Sequence, residues 1–239
     1  MEVKTFIGNY REAFGEAAPL PLVFRYDDTP AAPPQKIGGC FFKGLWSVRN
    51  GESLALDAEV VGCGGGKFYC GFTGMPERVP DFVSLKERYK ETPEMVRQFV
   101  ETMEVMPAPK PYLNFFRIDQ ITRFEGIEGV LFFATPDLLS GLCSWTFFDS
   151  NQSDAVTSLF GSGCSSVIAN AVRENRINGY RTFLGLFDPS VRPWVGEHEL
   201  SFVIPLCRFS KMYYTMRQSC LFDSHAWQKV KARINALPE

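Results

Sequence analysis

Apolar positions repeat along this chain with two periods, and the switches between them outline its elements. Val3, Phe6, Ile7, Tyr10 and Phe14 share one face of a helix over residues 3–14, the spacing of an amphipathic segment. Pro19 and Pro21 close it, residues 22–26 read as a short strand, and the Pro-, Ala- and Asp-rich stretch 27–35 reads as a surface loop. Residues 40–48 fit helix and strand equally. Residues 54–61 alternate through Leu54, Leu56, Ala58 and Val60, which predicts a half-buried strand ending at Gly62. The glycine run that follows, up to residues 68–72, reads most simply as a tight turn between strands.

In the second half, Thr92 before Pro93 predicts an N-cap with proline in the first helical position. The helix it opens carries Val96, Phe99, Val100 and Met103 on one face, and Pro107, Pro109 and Pro111 end it. Residues 112–118, 130–134 and 144–148 are apolar, aromatic-rich strand candidates of the kind covered on both faces, with 136–140 as a single helical turn. Residues 161–166 lead into a helix that turns Val167, Ile168, Ala171 and Val172 inward. Asn178-Gly179 marks a turn, 182–187 and 200–205 are strands, and 209–237 is largely helical. The order predicts an α+β (mixed α/β) fold, a single domain over residues 1–239 with a largely buried mixed β-sheet flanked by helices.

Composition narrows the function classes. The chain has 239 residues, 45% hydrophobic and 22% charged, enough to bury a core without disulfides or metals. Twenty-five Lys and Arg are scattered among 27 Asp and Glu, for a net charge of −2. That excludes a general nucleic-acid binder, since phosphate recognition needs clustered cations. The densest basic stretch, Lys229, Lys231 and Arg233, reads as a solvated helix face. Charged residues in the opening Met-Glu-Val-Lys-Thr-Phe-Ile argue against a secretory leader, and no apolar run reaches the ~18 residues of a membrane span. Seven cysteines, an odd number, fit free thiols in a reducing compartment, so the expected location is cytoplasmic.

Three features carry candidate chemistry. The run Gly62-Cys63-Gly64-Gly65-Gly66 ends in Lys67, but Val61 and Phe68 break the P-loop pattern, and Lys67 also breaks the dinucleotide fingerprint. What survives is a backbone that a ligand can approach closely, or an anion nest. Second, Cys63 and Cys70 are too far apart for a zinc knuckle, and the chain has only His198 and His225. A scattered cysteine site using Cys40, Cys63 and Cys70 or Cys164 stays open beside the plainer reading of buried thiols. Third, Gly163, Cys164 and Ser165 open a helix, where Cys164 could be a reactive thiolate or Ser162 and Ser165 simple caps. The residues Gly161-x-Gly163-x-Ser165 do not form a nucleophile elbow, neither histidine is placed beside a cysteine, and the Asp27/Asp28 and Glu197/Glu199 pairs read as loop acids. Trp46 and Trp194 are candidates to line an apolar pocket.

Three passages together resemble the DUF169 family of bacterial and archaeal proteins. They are Cys40-Phe41-Phe42-Lys43-Gly44-Leu45 with Gly62–Gly66 and Gly71-Phe72; Gly163-Cys164 before Phe183-Leu184-Gly185; and the acidic turn at Glu197 running into a strand that ends at Pro205. The chain departs from the family in having Gly64 where proline is usual and Leu186 where cysteine often follows the strand glycine. The resemblance implies one compact domain and no established activity.

Three functions remain. The first is a small-molecule or cofactor-binding protein that uses the glycine-rich loops, with Cys63, Gly64, Gly65, Gly66, Gly163, Cys164 and Ser165 as the ligand-binding set and the cofactor unknown. The second is a Cys-dependent redox or metal-binding enzyme on Cys40, Cys63 and Cys164. The third is a non-catalytic interaction subunit. The expected partner is a small-molecule ligand, with neither nucleic acid nor membrane, and self-association into a homo-oligomer stays open.

Overall fold

Seven strands form one mixed sheet in the order β2-β3-β1-β4-β7-β6-β5. They are β1 (Leu22–Asp27), β2 (Leu54–Leu56), β3 (Tyr112–Arg117), β4 (Ile127–Ala134), β5 (Val156–Thr157), β6 (Thr182–Gly185) and β7 (Leu200–Pro205). The computed structural model describes residues 1–159 and 161–236. All neighbours pair antiparallel except β5 and β6, which run parallel. The α+β reading therefore holds.

Side chains alternate through the sheet and build a core on each face. Leu22, Phe24, Tyr26, Leu131, Phe133 and Val203 enter one cluster, while Val23, Val130, Phe132, Phe202 and Ile204 enter the other. Every residue of β4 is buried, which accounts for its unbroken apolar sequence. The second face is covered by α1 (Val3–Phe14), α5 (Pro136–Phe148), α7 (Leu206–Thr215) and α8 (His225–Asn235), with Phe6, Tyr10, Phe14, Leu138, Leu142, Trp145, Phe209 and Trp227. The first face carries α2 (Phe42–Arg49), α3 (Gly64–Tyr69) and the stretch Ser165–Ala169, a π-helical turn that runs straight into α6 (Asn170–Arg176). The remaining long helix, α4 (Pro93–Met103), packs Met103 into this face. Its cap is as expected: Thr92 accepts a hydrogen bond from the Met95 amide at 3.2 Å.

Four expectations are corrected. Residues 144–148 are not a strand, and the turn at 136–140 is the start of one long helix, α5. Its buried positions Leu138, Leu142 and Trp145 keep helical spacing. Gly141 lets this helix seat against Trp227 and Phe14, whose rings would stand 2.3 Å and 2.6 Å from an added Cβ. The strand expected over 54–61 stops at Leu56, because Asp57 turns back to accept the amides of Glu59 and Val60, each at 2.7 Å. The strand over 182–187 ends at Gly185, since Leu186 adopts φ +68. The glycine run is not a turn between strands but the opening of α3. Segment 40–48 resolves as helix from Phe42. The C-terminal stretch is helical with breaks, and Leu237 lies outside the described residues.

Candidate functional site

Three chain segments meet on the first face of the sheet. Residues 37–40 lie alongside 60–63 through a bridge between Ile37 and Val61, with the Ile37 amide donating to the Val60 carbonyl at 3.1 Å. Gly62 is required there, since a Cβ would stand 2.9 Å from the Ile37 carbonyl oxygen. This contact carries Cys40 towards Cys63. Cys63 is the extended N-cap of α3. The helix ends in a Schellman closure: the Gly71 amide donates to the Phe68 carbonyl at 2.8 Å, and the Phe72 amide to that of Lys67 at 2.9 Å. Gly71 takes the left-handed conformation this closure needs, with φ +77. Cys70 is thereby buried in the core, where its carbonyl accepts from the Tyr26 hydroxyl at 2.7 Å. The third segment is the π-turn that begins after Cys164, and α3 packs against it.

Four of the seven cysteines consequently share one neighbourhood, graded from core to surface: Cys70 and Cys164 are buried, Cys40 is half-buried and Cys63 is exposed. Burial pushes the Cys164 thiol well above its ordinary range, and the nearby Cys70, Cys40, Cys63 and Asp188 add to the rise. Burial likewise raises Cys70, with a further contribution from Cys63. Cys40 is raised by burial, which outweighs the backbone hydrogen bond that favours its thiolate. Desolvation therefore overrides the helix-terminus effect that would make Cys164 a reactive thiolate. In the protein without a bound cation, Cys40, Cys70 and Cys164 are neutral thiols at neutral pH.

Asp188 completes this neighbourhood. The residue is 5% exposed, and its carboxylate accepts from the Ser190 amide at 3.0 Å and the Ser190 hydroxyl at 2.7 Å. No basic side chain among the described residues pairs with it. Arg192, the nearest cation in the sequence, donates instead to the carbonyls of Leu186, Gly196, Glu197 and Glu199, and so braces the loop that positions Asp188. Arg49 fastens the far end of that loop with a bidentate pair to Glu199 at 2.6 and 2.7 Å. A buried carboxylate facing thiols, with no counter-cation, is an electronegative setting. The sequence reading missed Asp188; its Asp-x-Ser turn after a strand glycine is the local signal that marks it.

The expected ligand set separates into parts. Gly66 and Gly163 serve packing, because a Cβ at Gly66 would meet Val61 at 3.0 Å and one at Gly163 would meet Val191 at 2.9 Å. At Gly64 an added Cβ would lie 3.2 Å from Pro76. At Gly65 its nearest neighbour would be Cys63 Sγ, at 3.9 Å. Ser165 directs its hydroxyl to the Ser162 carbonyl at 2.7 Å while its amide takes the Ser162 hydroxyl at 3.3 Å, which is the plain capping role. Trp46 donates to the Trp194 carbonyl at 3.0 Å, and both rings stay partly exposed. His198 and His225 are exposed. Lys231 and Arg233 bind the Glu12 carbonyl and Asp137 of the chain's own helices.

The family model of DUF169, described as uncharacterised ArCR proteins, matches residues 21–214. The chain belongs to this family. No curated protein and no solved structure matches it. The span matched to DUF169 contains the whole sheet and all four clustered cysteines and leaves out α1 and α8, which cover the opposite face. Leu186, where the DUF169 resemblance leads one to expect cysteine, is buried on the wall of the same neighbourhood, its Cδ2 3.2 Å from the Cβ position of Gly163. Among the described residues, no three His, Cys, Asp or Glu side chains stand close enough to hold a single metal ion, and no helix is long and apolar enough to cross a membrane.

Proposed function

We propose that this protein is a cofactor-binding protein whose cofactor is a thiophilic metal centre of more than one ion, held by Cys40, Cys63 and Cys164 with Cys70 as the buried fourth sulfur. The observation that carries the reading is the convergence of these four cysteines from separate segments, with the buried and cation-free carboxylate of Asp188 beside Cys40 and Cys164. Soft thiolates select such centres, and a polynuclear cluster takes thiolates set wider apart than one ion does. A bound centre would supply electron transfer or Lewis acidity; the chain supplies the sulfurs, a low-dielectric wall and an exposed edge at Cys63. Seven free thiols fit a reducing compartment, and we place the protein in the cytoplasm.

The test is purification without air, followed by native and denaturing mass spectrometry and metal analysis. The expected result is an inorganic mass lost on denaturation, absent from Cys164→Ser and reduced in Gly65→Val, whose Cβ would lie 3.9 Å from Cys63 Sγ with no other atom within 4 Å. An organic mass would instead support small-molecule binding by the glycine-containing loops. A metal-free protein with seven ordinary thiols, isolated in a stable complex with another chain, would favour the interaction-subunit reading and end this one.

A further inference from the structure

A cavity of about 320 Å³ lies at the opposite end of the π-turn from Cys164, among α4, the short parallel pair β5–β6 and α6. It falls at the lower end of the ~300–1,000 Å³ range of small-molecule pockets. Met103, Leu159 and Phe183 give it an apolar wall, and Thr157, Asn170 and Arg181 contribute polar groups. Asn170 is the first residue after the π-turn and is 4% exposed. Asn170 lines the cavity, and its carboxamide has no hydrogen-bond partner among the described residues. That carboxamide is not sealed from solvent as Ser201 Oγ and Arg208 Nε are, and it stays free to bond what fills the cavity; π-bulges are frequent at functional sites.

The hydrogen-bond inventory around the cavity defines the complementary chemistry. Both carboxylates that line it are engaged, though Glu174 Oε2 keeps an open acceptor position, with Arg181 Nη1 3.9 Å away. Asp154 accepts from the Tyr180 hydroxyl at 2.9 Å and from Arg181 Nε at 2.8 Å. Glu174 accepts the amides of Tyr180 and Arg181, each at 3.0 Å. The arginines keep spare donors: Arg173 directs Nε and Nη2 to Glu104 and leaves Nη1, while Arg181 leaves Nη2. The Asn170 amide and the Thr157 hydroxyl add further unpaired groups, so free donors outnumber free acceptors. Formal charge is balanced, with Arg173 and Arg181 set against Asp154 and Glu174, so nothing favours an anion over a neutral acceptor.

We infer that this cavity is a binding site for a small, uncharged, carbonyl-bearing molecule, oriented by Asn170 and lying against Phe183 and Met103. The site is separate from the cysteine cluster and stands whether or not that cluster binds metal.

The test uses the full chain labelled with 13C-methyl methionine, Met103 being the reporter in the cavity wall. Uracil and 2-piperidone, two uncharged carbonyl-bearing rings, are titrated alongside acetate. The expected result is a saturable shift of the Met103 methyl with either ring and none with acetate. Asn170→Leu should weaken binding about tenfold, as for the loss of one or two buried hydrogen bonds. Thr157→Val, on the edge strand, should weaken it by a smaller factor and covers the case in which Asn170→Leu does not fold. A Met103 signal unmoved by both rings would overturn the proposal. So would a response to acetate alone, or an affinity unchanged in both variants.

Discussion

Replacing Gly71 with alanine tests why the cysteine-bearing α3 ends as it does. Gly71 holds φ +77, where an L-residue costs about 1–2 kcal/mol. Space is a separate obstacle: a Cβ would lie 2.4 Å from the Met106 carbonyl oxygen and 2.6 Å from the Ala108 amide nitrogen. Both neighbours are backbone, so relief means moving residues 106–108 away. That motion breaks the bond from the Ala108 amide to the Gly71 carbonyl, 2.9 Å long, at about 0.5–1.5 kcal/mol, and overpacking adds about 1–3 kcal/mol. The expected total is about 2.5–6.5 kcal/mol, a large share of the roughly 5–15 kcal/mol that holds a domain together. Urea unfolding followed by tryptophan fluorescence reads it directly, with a fall in Tm of roughly 5–26 °C as the thermal counterpart. Gly74→Ala is the control, since no atom lies within 4 Å of its Cβ position; it should change stability by less than about 0.5 kcal/mol. A loss below about 1 kcal/mol in Gly71→Ala would refute the reasoning, because the closure would then tolerate both the side chain and the φ.

The cysteine neighbourhood gives two further expectations. In the folded, metal-free protein iodoacetamide should label the exposed Cys63 and Cys220 first, with Cys70 and Cys164 reacting only on denaturation; peptide mapping at successive times would expose an early reaction at Cys164. Because Cys70 and Cys164 are raised by burial, folding favours their protonated forms. Their contribution to stability is full below the unfolded thiol pKa of about 8.5 and declines as pH rises above it. Denaturant midpoints measured upward from neutral pH should therefore fall in the wild type and fall less in Cys164→Ala. Arg49 and Glu199 are each about 15% exposed at the side chain, and the guanidinium stacks 4.4 Å from the Trp46 ring centre. An Arg49→Met/Glu199→Gln double-mutant cycle should give a coupling of about 1.5–3 kcal/mol; a coupling near zero would mean solvent already screens the pair. Finally, Gly62→Ala should push the 37–40 segment off the Ile37–Val61 bridge, speeding alkylation of Cys40 while Cys164 stays protected.

Elements whose cause is local were legible in the sequence, and those whose cause is distant were not. The helix Val3–Phe14, the Thr92 cap of α4 and the doubly covered β4 follow from spacing and capping that a short window contains. Asn178-Gly179 is a turn because asparagine tolerates the φ of +53 it adopts. Residues 144–148 misled because aromatic content favours strand, while the deciding fact is that Gly141 lies under Trp227 and Phe14, far away in the chain. The same division runs through the candidate site. Its cysteines could be named from the sequence, but their meeting depends on a bridge at Ile37, a Schellman closure at Gly71 and the packing of α3 against the π-turn. Asp188 shows the limit most clearly. A carboxylate in an Asp-Pro-Ser turn is ordinary in a loop; what sets this one apart is burial beside thiols and an Arg192 committed to backbone carbonyls. Had Arg192 turned to Asp188, the pair would be a neutral structural contact. By bracing the loop instead, Arg192 leaves the Asp188 carboxylate beside the raised thiols of Cys40 and Cys164 and the Tyr69 hydroxyl. That division of labour between two residues four positions apart is why the neighbourhood reads as a cation-seeking site and not as core.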